Sequence, residues 1–324
     1  MSEILRKVDA FQKRHAALAF PFAVVRKFGD DQAGNLAALI AYYGFFSLFP
    51  LLLVLVTVLG MILRTDPDLQ TRILDSALAN FPVIGTEISR NVHALEGSGA
   101  TLAVGIALTL WAGLGVVKAT QTAMNSVWNV PFRHRPNFLW STLRGLIMLG
   151  VLGVMTLVSA VAGTIGGGSG QWWLVILGLA VSLIVNLFLF LLAFRILTSE
   201  NLTWVDVLPG AAAGSVAWTI LQALGGYYVS RQLQGASEVY GTFAVVIGLL
   251  AWIFIGAQVT LLAAEVNVVR KRHLWPRSLV QPPFTDADVE ALTRYAKQEG
   301  RRPEERIDVE VQGRRSDAGG SVAG

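Results

Sequence analysis

The chain has 324 residues, 53% hydrophobic and 15% charged, with a formal net charge of +4 and no cysteine. About 25% charged is usual for a soluble domain, so one large water-soluble core is excluded, and the small positive balance gives no case for nucleic acid. The missing cysteines exclude disulfides, iron–sulfur clusters and thiol catalysis.

In chain order, residues 1–35 form a first unit. Arg6, Lys7, Lys13, Arg14, Arg26 and Lys27 are spread through the region where a cleavable signal would need its apolar core. Residues 3–28 instead read as a basic amphipathic segment lying on the membrane surface, with Phe11, Leu18, Phe20 and Phe22 able to dip in. A loosely ordered soluble tail is the alternative.

Residues 36–275 read as an all-α transmembrane domain. Six stretches, near 36–63, 99–118, 143–166, 171–197, 207–230 and 240–268, are apolar over the roughly 20 residues that a bilayer requires. An even number of spans puts both termini on one side. If that side is the cytoplasm, the inner segments hold 6, 4, 1 and 11 Lys or Arg, which is 22 of the 26. That bias predicts cytoplasmic termini. Trp128, Trp140, Trp204 and Trp275 are expected at the inner interface, and Trp172 and Trp173 at the outer one. The outer loop 64–98 carries apolar residues at helical spacing behind Asp66-Pro67, which predicts a cap of two short amphipathic helices. "GGGSG" at 166–170 predicts a tight outer hairpin. In the tail, residues 276–324, Thr285 with Asp288 resembles a capping box opening one short helix that Gly300 closes, with disorder beyond.

No catalytic or metal-binding pattern emerges. His15, His93, His134 and His273 are scattered, and no nucleophile elbow, P-loop or His-Glu-x-x-His is present. The expectation is a non-enzyme with no cofactor. Polar groups within spans are costly and mark partners or wet cavities. Asn35, Asn186, Gln258 and Glu265 are therefore singled out, the last two sharing one face of the sixth span. Lys118 and Arg195 either reach back to the headgroups or form a charged ring at an inner mouth, where they would partner Glu265. "GAAAG" at 210–214 supplies a small-residue face for close helix packing. Pro50 removes a helical hydrogen bond, and Ser47 can back-bond to the carbonyl of Tyr43. A bend is expected there, facing protein, with Tyr42 or Tyr43 beside it.

"AGNLAALIAYYGFFSLFPLLL" (33–53), "AMNSVWNVPFR" (123–133) and "VYGTFAVVIGLLAWIFIGAQVTLLAAEVNVV" (239–269) resemble the three signature regions of the YihY/BrkB family of bacterial inner-membrane proteins, long mislabelled as a ribonuclease. The resemblance covers about residues 20–275. It implies six spans, an inner-membrane location and a role in transport or lipid handling. It also marks Asn35, Ser47 and Pro50, Asn125 and Trp128, and Tyr240, Gly241 and Glu265 as family positions. Ala-Ala-Glu stands at 263–265 where the family usually has Gly-Ala-Glu. The expected partners are membrane lipids and a lipid-like or small amphiphilic substrate, with no nucleic acid; no oligomeric state is indicated. A non-transporting scaffold for cell-envelope assembly is the rival reading.

Overall fold

The computed structural model describes residues 2–62, 99–166, 172–232 and 241–311. The expected outer cap, the residues of the glycine hairpin after Gly166, Tyr240 and the chain after 311 lie outside the described residues. Within them the chain is helical: α1 (Ser2–Arg14), α2 (Ala16–Asp30), α3 (Ala33–Ile62), α4 (Gly99–Val127), α5 (Phe138–Gly166), α6 (Trp172–Leu197), α7 (Trp204–Gln232), α8 (Gly241–Lys271) and α9 (Asp286–Gln298). Helices α3 to α8 are the six that are long and apolar enough to cross a membrane.

Each of these six packs on its neighbour in sequence, and α8 returns to α3, so the spans close a ring in chain order. Helix α8 also touches α4 and α2, which makes it the hub. The starts of α3, α5 and α7 and the ends of α4, α6 and α8 meet at one end of the ring, here called the basal end. The buried core lies there: Ala33, Ala37, Ala123, Met124, Val127, Trp128, Phe194, Val207, Ala211, Leu261, Ala264 and Val268 are all buried. This core explains why α4 runs to Val127, beyond the end at 118 expected from the sequence. Its last turns carry Gln121 and Asn125, too polar for lipid, and both are buried in protein together with Ala119, Ala123 and Met124.

Small residues set the helix spacing. A methyl group on Gly210 would lie 2.1 Å from the backbone oxygen of Ala263, and one on Gly214 would meet Ala263 and Phe190. Helix α7 therefore lies directly on α8, as the Gly-Ala-Ala-Ala-Gly face predicts. Farther along the same pair, the Trp252 ring fills the space over Gly225 and the Trp218 ring that over Gly256, a reciprocal interlock. Gly115 similarly receives the Tyr43 ring.

Pro50 does not break α3, whose helical run continues to Ile62. The Ser47 hydroxyl donates to the carbonyl of Gly44 at 2.8 Å and not to that of Tyr43: the hydroxyl closes a three-residue step, one residue short of the spacing expected from sequence.

The N-terminal helices depart most from expectation. Helix α2 is packed on α8 through Ala19, Ala23, Val24 and Lys27, all buried. Helix α1 is tied to the chain after α8, because the Leu279 N–H donates to Asp9 at 2.7 Å and the Gln12 amide donates to the Arg277 carbonyl at 2.6 Å. Of the four apolar residues expected to dip into a membrane surface, Phe11 and Leu18 are exposed and Phe20 and Phe22 are half-buried; Val8 and Val25 are exposed as well. Thr285 caps α9 through a capping box with Asp288, and the Gly300 N–H closes on the Lys297 carbonyl.

Candidate functional site

Helix α2 owes its buried face to a stripe at four-residue spacing: Ala19, Ala23 and Lys27, with Asp31 just past the helix end. The stripe therefore delivers a lysine into the basal core. Lys27 is fully buried, and so is Glu265 on α8; Lys27 Nζ stands 3.3 Å from Glu265 Oε2. The same ammonium donates to Asp31 Oδ2 at 2.5 Å and to the Val127 carbonyl, at the end of α4, at 2.8 Å. One cation thus joins α2, α4 and α8. Neither Glu265 oxygen accepts a hydrogen bond among the described residues, so it meets Lys27 by close approach alone. Two carboxyl groups and one ammonium share a buried site.

Around this cluster the polar groups come mainly from the basal segments. Tyr295 of α9 places its ring 5.7 Å from Lys27 Nζ. Burial, and then the nearby Asp31, Asp30 and Glu265, push its phenol far above the ordinary value, which keeps it neutral. Arg277 donates to Asp288 at 2.6 Å and to Asp30 at 2.9 Å, tying α9 to the end of α2. Burial disfavours charge on both partners. For Arg277 the Asp288 bond, together with the charges of Asp288 and Asp30, outweighs this and holds the guanidinium above its ordinary value. For Asp288, bonds from Thr285, Arg277 and the Ser278 N–H hold the carboxyl below the usual range. A recess of ≈ 320 Å³ beside the cluster is lined by Asp31, Gln32, Asn35, Ser126, Tyr295 and Gln298, among others.

The structure brings some sequence-marked residues here and sends others elsewhere. Glu265 is in the cluster and Asn35 at the rim of the recess, its amide donating to Gln32 at 3.4 Å. Trp128 is buried beneath it and not at an interface; Lys271 and Arg272 lie over its ring at 5.7 and 5.6 Å. The Asn125 side-chain oxygen Oδ1 accepts the Ser199 N–H at 2.9 Å, fastening α4 to the α6–α7 connection. Asn186 reaches Thr219 at 3.4 Å and bridges α6 to α7. Gln258 is half-buried on α8, Ser47 and Pro50 are half-buried on α3, and Tyr42 is exposed against Phe46.

Lys118 and Arg195 do not partner Glu265. Lys118 lies over the Phe138 ring at 3.8 Å and Arg195 over the Trp204 ring at 4.1 Å. Both long side chains fold along aromatic faces at the basal end, where a buried acid on α8 is out of reach. Lys27 takes that place. Its signal in the sequence was a lysine standing on the apolar stripe of an amphipathic helix, four residues before an aspartate.

Comparison with known proteins places this architecture. The sequence model of the family described as Virulence factor BrkB matches residues 24–286. The chain belongs to the BrkB family. The match begins within α2 and ends at the first residue of α9, so the BrkB-family region holds Lys27, Asp31, Glu265 and Arg277. The chain is 23% identical over 274 residues to inner membrane protein YhjD of Escherichia coli K12, covering 78% of this chain and 81% of that one. It is 26% identical over 283 residues to UPF0761 membrane protein RSc1559 of Ralstonia nicotianae, covering 81% of this chain and 62% of that one. A Bacillus subtilis relative, 23% identical and covering 74% of this chain and 91% of its own, carries a ribonuclease-like name, YfkH. No solved structure gives a significant match. This BrkB-family chain is an integral inner-membrane protein, with six helices among the described residues long and apolar enough to cross a membrane.

Proposed function

We propose that the chain is a translocator of a lipid-like or small amphiphilic substrate, gated at its basal end by the Lys27–Glu265 contact, and that this end and both termini face the cytoplasm. The observation that carries the reading is the buried charge itself. Replacing a buried ion pair by apolar residues of similar volume is often neutral or stabilising by about 1–4 kcal/mol, so stability alone gives no reason to keep it. Charged groups within a membrane bundle mark pathways and moving parts. Here the pair joins a peripheral helix, α2, to the hub helix, α8. Water entering between them would solvate both charges, so the open form is within energetic reach, as a two-state gate requires. The recess that shares Asp31 with the cluster supplies an entry for that water. The orientation is supported by the 22-to-4 split of basic residues. The reading involves no catalytic step.

The test is flux. Reconstituted protein should speed the movement of a fluorescent lipid between leaflets above that of protein-free vesicles. No acceleration for any lipid or amphiphile would favour the scaffold.

A further inference from the structure

A second recess, ≈ 240 Å³, opens at the basal end between α4, α5 and the connection that joins them. Its wall holds Lys118, Gln121, Thr122, Asn125, Arg135 and Ser141. Gln121 and Ser141 are spent on each other: the Gln121 amide donates to the Ser141 carbonyl at 3.0 Å, and the Ser141 hydroxyl donates to Gln121 Oε1 at 2.5 Å. The Asn125 side-chain oxygen is spent on Ser199. The two cations are not spent. Lys118 Nζ has no ion pair or hydrogen bond among the described residues and rests on the Phe138 ring. Arg135 Nε donates to the Val130 carbonyl at 3.3 Å, and the guanidinium stacks on Phe132 at 4.1 Å. Its Nη2, however, is buried with no acceptor among the described residues.

We propose that this recess binds the phosphate of a membrane lipid headgroup, held between Lys118 and Arg135. A buried guanidinium N–H without an acceptor is costly, and two cationic side chains lining one recess call for an anion. Burial pushes the Arg135 guanidinium below its ordinary value, and among the described residues the acid that opposes this is Glu299, at a distance. Glu299 is itself exposed and faces Arg301 at 4.0 Å, so it does not fill the recess. The volume suits a headgroup and leaves no room for acyl chains. Those have a surface beside it: Phe138, Leu139 and Trp140, at the start of α5, are 70%, 75% and 61% exposed. That apolar ledge is why a lipid, and not a soluble phosphate, is assigned. Basic pockets between transmembrane helices are known to hold anionic headgroups.

The inference rests on the lipid-handling reading for its purpose, but its test is binding, so failure of transport and failure of this site are separable. The purified full chain would be titrated with phosphatidylglycerol, with diacylglycerol of the same acyl chains, and with glycerol phosphate, and retained ligand read by native mass spectrometry. Phosphatidylglycerol should be retained and diacylglycerol not. Lys118→Gln and Arg135→Gln should each weaken retention about fivefold, while the charge-keeping Lys118→Arg should retain most of it. Equal retention of diacylglycerol, unchanged retention in the two glutamine variants, or loss in Lys118→Arg would overturn the site. Glycerol phosphate that displaces the lipid as well as phosphatidylglycerol itself does would overturn the lipid assignment.

Discussion

Removing Lys27 should harm this protein far more than removing Glu265. Lys27→Met keeps most of the side-chain volume but leaves Asp31 and Glu265, whose side chains are 2% and 0% exposed, with no cation between them. Stranding a buried charge costs about 3–5 kcal/mol, or ~10²–10⁴-fold in the folded-to-unfolded ratio. The Val127 carbonyl also loses its donor. Glu265→Gln is milder, because Lys27 keeps its 2.5 Å bond to Asp31 and the site becomes neutral; a loss of about 1–2 kcal/mol is expected. The triple variant Lys27→Met, Asp31→Asn, Glu265→Gln removes every charge and should recover most of the fold. Exchanging charges between Glu265 and Arg195 should rescue nothing, because Arg195 is stacked on Trp204. Fluorescence-detected size exclusion after a heating series, with expression matched, reads all five proteins. A Lys27→Met protein as heat-resistant as the parent, or one more stable than Glu265→Gln, would refute the reasoning.

Gly210→Ala should lower folded yield sharply, since its methyl group would meet the Ala263 backbone oxygen at 2.1 Å and overpacking costs about 1–3 kcal/mol. Gly150→Ala, with nothing within 4 Å, should be neutral or gain up to about 1 kcal/mol; equal yields from the two would count against the α7–α8 contact. The Asp288 carboxyl is held below its usual range, so its stabilisation is fully present above pH of about 4 and is lost as pH falls through the folded-state value. Protease protection of α9 in detergent should therefore hold at neutral pH and fall in acid, and a flat profile would remove Asp288 from that role. Single cysteines placed at residue 2 and at residue 301 of this cysteine-free chain should resist an impermeant label in intact cells, while one within 64–98 should react; the reverse pattern would invert the proposed orientation.

The transmembrane frame was legible because lipid demands it. Apolar length alone marks α3 to α8, and the small face at Gly210 and Gly214 shows where two of them touch. Glu265 was legible for the same reason, as an acid in an apolar span. Its partner was not. Periodicity shows that Lys27 lies on the apolar stripe of α2, but not whether that stripe meets lipid or protein, since both are apolar. Trp128 was misplaced on similar grounds: a tryptophan near a span end suits an interface, and only tertiary packing reveals that α4 continues into a core. Arg135 carries no signal in the sequence because it lies in a connection, where a lone arginine has no pattern to violate. Its significance comes from Lys118, 17 positions earlier, lining the same recess.

The most direct measurement of the gate is lipid flux by the triple variant that removes the charges of Lys27, Asp31 and Glu265. The account predicts a parent protein that accelerates movement of a fluorescent lipid between leaflets, and a variant that elutes and melts like the parent yet has lost about tenfold or more of that flux, equivalent to ~1.4 kcal/mol on the opening step. A folded variant that moves lipid as fast as the parent would contradict a gate built on this contact.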